Sequence, residues 1–166
     1  ILLHAWAPPI AVVAGGVAYG VANRWGAQGG RRLGAALALV ILAAPWVVLA
    51  SSGLFAWAGE RIGASWAARL DIWAFTAEQI LKHPLLGWGI DASRAFQPFM
   101  LHPHSAPLQI WLELGLVGAC LFAGAWYLVC RRAGEIGPQA LAAAVVYFVI
   151  GMVSFGVWQE WWLGLG

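Results

Sequence analysis

Hydrophobic positions along this chain fall into four long blocks separated by polar interruptions of very different length. Residues 1–23, 33–50, 114–130 and 136–159 contain no Asp, Glu, Lys or Arg. Blocks of that size suit helices crossing a hydrocarbon layer about 30 Å thick at 1.5 Å per residue. The pattern predicts transmembrane helices over 5–23, 33–50, 114–130 and 138–158. The first carries a ridge of Gly15, Gly16 and Gly20 that invites a close neighbour, and Pro45 lies near the far end of the second. Residues 24–32 read as a flexible link. Residues 51–113 form a loop too long to be a plain connector.

Polarity inside that loop is itself periodic. Trp66, Leu70, Trp73, Ala77 and Ile80 or Leu81 recur at three- and four-residue steps while Asp71, Glu78 and Lys82 face elsewhere, so an amphipathic helix is expected over 66–82. His83-Pro84 stops it. Leu85-Leu86-Gly87-Trp88-Gly89 reads as a turn that needs glycine, followed by a short polar piece at 91–94. His102-Pro103-His104-Ser105 then leads into Pro107, a residue tolerated in the first turn of a helix. The expected architecture is therefore all-α: a polytopic membrane helical bundle of four spans with a large helical loop on one side.

Composition strengthens the membrane assignment. The chain is 62% hydrophobic and 10% charged, with a mean hydropathy of +0.77, well outside the range of a water-soluble domain. Its charge of +2 matters through its placement. Arg24, Arg31 and Arg32 sit in the first short link and Arg131 and Arg132 in the last, and short Arg-rich links stay in the cytoplasm. Both chain ends and the 51–113 loop then lie on the opposite side. Five arginines at two membrane borders make no continuous basic stripe, so no nucleic-acid partner is expected. The first block lacks the basic start of a signal peptide, and the chain reads as a piece of a larger polytopic protein. Cys120 and Cys130 are expected to be apolar packing groups, with no metal cage and no cofactor.

Three residues carry the candidate chemistry. His104 stands at the mouth of the predicted helix at 107, where the positive end of the helix dipole favours the neutral, proton-accepting imidazole; it reads either as a general base or as a capping group. Arg69, beside Trp66 and Trp73, reads either as an anion-binding guanidinium or as a partner for nearby groups and lipid headgroups. Arg94 is a second anion contact. Glu113 reads as a marker of the membrane border. The twelve tryptophans read as an interfacial belt, with stacking on sugar rings as the alternative.

In combination these motifs resemble the bacterial O-antigen ligase and polymerase family of membrane glycosyltransferases. His104-Ser105, nine residues, Gly115, two residues and Gly118 follow the family's pattern, and Arg69, Trp73 and Pro84-Leu-Leu-Gly-Trp-Gly89 resemble its Arg-bearing helix and glycine turn. The resemblance implies an inverting, metal-independent transfer of a glycan from an undecaprenyl-diphosphate carrier to an acceptor hydroxyl, in lipid A core or another glycan, at the periplasmic face of the bacterial inner membrane. It places His104 on the family's essential histidine and Arg69 on a diphosphate-binding arginine, with Arg94 the candidate for a second. It also implies that the chain is a C-terminal part of a longer protein. The non-enzymatic alternative is a fragment of a membrane transporter.

Overall fold

The computed structural model describes residues 6–59, 61, 63–96, 102–154, 157, 158 and 164. Among them all regular structure is helical: α1 (Ala7–Ala50), α2 (Ser52–Gly59), α3 (Ala64–Lys82), a single 3₁₀ turn (Ala92–Ala95), α4 (Ala106–Ile136) and α5 (Pro138–Val153).

Two helices, α1 with 44 residues and α4 with 31, are long and apolar enough to cross a membrane. The expectation of four separate spans is corrected accordingly. Helical structure runs through the polar link at 24–32 and is broken at Gly26 (φ 53°, ψ −137°), so α1 consists of two helical limbs that meet at this kink and hold the first two apolar blocks. The break turns the chain back on itself. A Cβ on Gly29 would stand 2.8 Å from the Val21 carbonyl oxygen, whereas eight residues of straight helix span about 12 Å. Nor is the link a loose turn, because Gly29 and Gly30 are buried. The fourth expected span yields α5, a 16-residue helix ending at Val153.

The first limb of α1 packs on α5. Gly15 faces Val146 and Ala142, while Gly16 and Gly20 face open space, so only one glycine of the predicted ridge makes a close approach. The second limb packs on α4, where Gly30 meets Gly134 and the Cys130 carbonyl. Cys130 is buried in this seam and Cys120 is exposed. Arg131 and Arg132 pair with Glu135 at 3.3 and 2.9 Å on the outside of α4, and helix continues past them to the Gly137-Pro138 corner.

Pro45 lies inside α1, buried, and cannot donate to the carbonyl one turn back, that of Ile41. Trp111 of α4 takes the proline's place: its indole Nε1 donates to Ile41 O at 2.8 Å. Around this contact Val48, Ala77, Ile80, Leu108, Leu112 and Ala119 form the core that joins α1, α3 and α4.

Of the expected 51–113 loop, α3 matches the predicted amphipathic helix and ends at the predicted His83 cap. The segment is not a single loop, since α2 and the 3₁₀ turn also lie in it and α4 starts at Ala106, eight residues before the expected span. The start is early because Ser105 adopts an extended conformation at the helix mouth and Pro107 occupies the first turn.

Candidate functional site

The frame of the site is a joint between two glycine-bearing segments. α4 is broken at Gly115 (φ 61°, ψ −156°), which exposes backbone groups on both sides of the break. The turn after α3 satisfies them. Trp88 N donates to Leu112 O and Gly89 N to Glu113 O, both at 2.9 Å, while Leu116 N donates to Pro84 O at 2.8 Å and Val117 N to Leu85 O at 3.3 Å. Gly87 (φ 70°) and Gly115 both adopt the left-handed conformation that glycine tolerates. Each is also pressed on the other segment's backbone: a Cβ on Gly87 would lie 2.6 Å from Glu113 O, and one on Gly115 would lie 2.5 Å from Leu85 O. Trp88 Nε1 donates to Gln79 O at 3.0 Å and ties the joint to α3.

The histidine loop sits at the entrance to α4. Trp73 Nε1 of α3 donates to Pro103 O at 2.9 Å, between the two histidines. His104 has φ 53°, a left-handed conformation costly for a residue with a Cβ. Its Nδ1 lies 3.1 Å from Ser154 O. A carbonyl only accepts, so the proton is on Nδ1 and, in the neutral ring, the lone pair is on Nε2. His102 has the reverse arrangement, its Nδ1 accepting from the His104 backbone N–H at 3.3 Å. The ring centroids are 4.2 Å apart. Burial first, then the charges of His104 and Arg94, push the His102 pKa down to about 4. His102 is thereby neutral at ordinary pH.

Arg69 lies one helical turn before Trp73, on the face of α3 that meets the histidine loop. Its guanidinium stacks on Trp66 at 5.0 Å, Nη1 reaches Ser65 Oγ at 3.4 Å, and Nε is buried without a partner among the described residues. Arg94 pairs with Asp91 at 2.8 Å and is close enough for its charge to act on His102. The structure thus brings His102, His104 and Arg94 into one neighbourhood, while the contacts of Arg69 are with Trp66 and Ser65 of its own helix.

Glu113 has a structural role that its position near a membrane border did not reveal. It is fully buried, accepting from Ser93 Oγ at 3.4 Å, Gln109 Nε2 at 3.0 Å and Trp158 Nε1. The available signal was a Gln–Glu pair four apart within an apolar helix, because an ionisable group there must find internal partners. Several indoles also prove to be hydrogen-bond donors within the fold, namely Trp73, Trp88, Trp111 and Trp158. These four tie elements of the fold together; the remainder of the expected cluster at 158–162 lies outside the described residues.

The family model described as O-antigen ligase matches residues 7–123, a stretch that contains the joint, Arg69, Arg94 and the histidine loop. The chain belongs to the O-antigen ligase family. Relatives named "Putative polysaccharide ligase" occur in Rickettsia bellii strain RML369-C, 38% identical over 117 residues, and in Rickettsia felis strain ATCC VR-1525 / URRWXCal2, 35% identical over 120 residues. These alignments cover 58% and 60% of this O-antigen ligase family chain. They cover 29% and 30% of the relatives, so the chain spans less than a third of their length. No solved structure matches. Family and apolar helices together make this a membrane protein.

Proposed function

We propose that the chain is the acceptor-activating and donor-binding part of an O-antigen ligase-like glycosyltransferase. The donor is a glycan on undecaprenyl diphosphate and the acceptor is a sugar hydroxyl of lipid A core, at the periplasmic face of the bacterial inner membrane. The observation that carries this reading is the hydrogen bond from His104 Nδ1 to Ser154 O, which leaves Nε2 as the proton-accepting atom of a neutral imidazole.

In this reading Nε2 takes the proton of the acceptor hydroxyl as its oxygen attacks the anomeric carbon. A new glycosidic C–O bond forms, the C–O bond to the diphosphate breaks with inversion, and the diphosphate departs with the electron pair. The guanidinium groups of Arg69 and Arg94 meet the charge growing on the leaving group, the task for which a planar fork of donors suits phosphate oxygens. With positive charge supplied by guanidinium groups the scheme calls for no metal and no cofactor. A polymerase of the same family would use the same donor and a lipid-linked repeat as acceptor. The transporter alternative is disfavoured by Glu113, whose oxygens are occupied by protein donors.

The test is glycan transfer by the full-length protein in proteoliposomes loaded with an undecaprenyl-diphosphate glycan. Positioned proton transfer contributes roughly 10²–10⁴-fold, so His104→Ala should lose that much of kcat while the protein still inserts and binds donor, and His102→Ala should keep most of its activity. Full transfer by His104→Ala would remove the base from the scheme.

A further inference from the structure

Glu113 is embedded in an apolar helix with no exposed surface, a costly placement for a carboxyl unless several donors meet it. Its three donors come from separate parts of the chain: Ser93 of the 3₁₀ turn, Gln109 one turn back on α4, and Trp158 beyond α5. Gln109 is bound at both ends. While its Nε2 donates to Glu113, its Oε1 accepts from the backbone N–H of Val157 at 2.9 Å. Two successive residues after α5, Val157 and Trp158, are therefore clamped to two successive turns of α4.

That clamp reaches the histidine. Three residues before Val157, the Ser154 carbonyl receives His104 Nδ1–H. Ser154 has already left the α5 helix (φ −129°, ψ −45°), so its carbonyl is not aimed by a helical hydrogen-bond ladder. The chain is fastened on either side of it, by α5 before and by the Val157–Trp158 clamp after. On the other flank Glu113 O accepts from Gly89 N, so the same residue ties the clamp to the joint at the α4 break.

We infer that Glu113 and Gln109 are positioning residues of the transfer site, which hold the segment after α5 so that the Ser154 carbonyl fixes the His104 imidazole with Nε2 free for the acceptor hydroxyl. The inference rests on the proposed role of His104. Neither residue touches substrate in this scheme. Both act through Ser154, and loss of the clamp slows the proton-transfer step while leaving donor binding at Arg69 as it was.

The experiment uses the full-length protein in proteoliposomes with an undecaprenyl-diphosphate glycan as donor, and compares Glu113→Gln, Trp158→Phe and His104→Ala. Glu113→Gln places an amide N–H₂ against one of the donors, and Trp158→Phe removes a single donor from the clamp. Each of these two should lower kcat on the order of 10- to 100-fold, the scale on which a small misplacement of a reacting group acts, and Trp158→Phe, which leaves the Ser93 contact beside Arg94 in place, should keep the donor KM within about twofold of wild type. Folded yield is read in parallel by size-exclusion chromatography. Wild-type kcat per folded molecule in both variants overturns the inference, whether or not folded yield has dropped, because Glu113 then serves packing only. In Trp158→Phe, a donor KM that rises as far as kcat falls overturns it as well. Should Glu113→Gln fail to fold, Trp158→Phe decides by the same criteria. His104→Ala separates the two layers: if it is silent while the other two are normal, only the positioning role falls, and if it is fully active the base assignment falls first.

Discussion

His102 and His104 are two residues apart and hold opposite hydrogen-bond roles, one ring accepting at Nδ1 and the other donating there. That difference makes the pair testable by pH. The unfolded chain takes up a proton on His102 near 6.5, whereas the folded protein refuses it until about 4. Between those values the unfolded state binds more protons, so stability is full above about 6.5 and falls as pH drops towards 4. Melting temperature followed across that window should decline for wild type and decline less for His102→Gln. Identical slopes for the two proteins would show that His102 does not titrate in this way. At this scale the sequence made the candidates visible, since His104, Arg69 and Arg94 stand out from apolar surroundings. It did not show what aims them. Ser154 is fifty residues from His104 and offers only its backbone carbonyl, a group every residue possesses.

Among the elements, α3 was the most legible, because a polar face alternating with Trp66, Leu70, Trp73 and Ala77 leaves one helical reading. The Pro84–Gly89 turn was legible as a turn from its glycines, yet its partner was hidden: a break within α4, whose sequence from Leu114 to Cys130 has no charged residue to mark it. Gly115→Ala and Gly87→Ala each combine a strained positive φ with overlap against facing backbone, so each should cost at least about 2 kcal/mol. Both open the same joint, and the double variant should cost less than the sum. Gly16→Ala, at an exposed helical position with nothing within 4 Å, is the control and should stay within about 0.5 kcal/mol. Thermal unfolding in detergent measures all four, and additive single effects would show that the two glycines do not share one joint.

Over the whole molecule the packing is governed by how closely backbones approach. Gly30 and Gly134 let the second limb of α1 lie directly on α4, and a Cβ on Gly30 would fall 2.5 Å from Cys130 O and 2.9 Å from Gly134 Cα. Neither neighbour is a side chain that can swing away. Gly30→Val should therefore separate the seam and lower the melting temperature by the equivalent of about 2 kcal/mol or more; an unchanged melting temperature would mean the seam tolerates a side chain. Composition and periodicity by themselves determined that this is an apolar, all-helical membrane chain with an amphipathic helix, a glycine turn and a histidine loop in that order, because those properties are carried by residues close together in sequence. Only the tertiary structure decided that the reversal expected between the first two apolar blocks is made at the single residue Gly26, that the turn closes on a break at Gly115, that Trp111 serves the carbonyl freed by Pro45, and that Glu113 is a buried acceptor. Each of those depends on a partner twenty to seventy residues away or on a backbone group, and backbone groups carry no signature in the order of side chains.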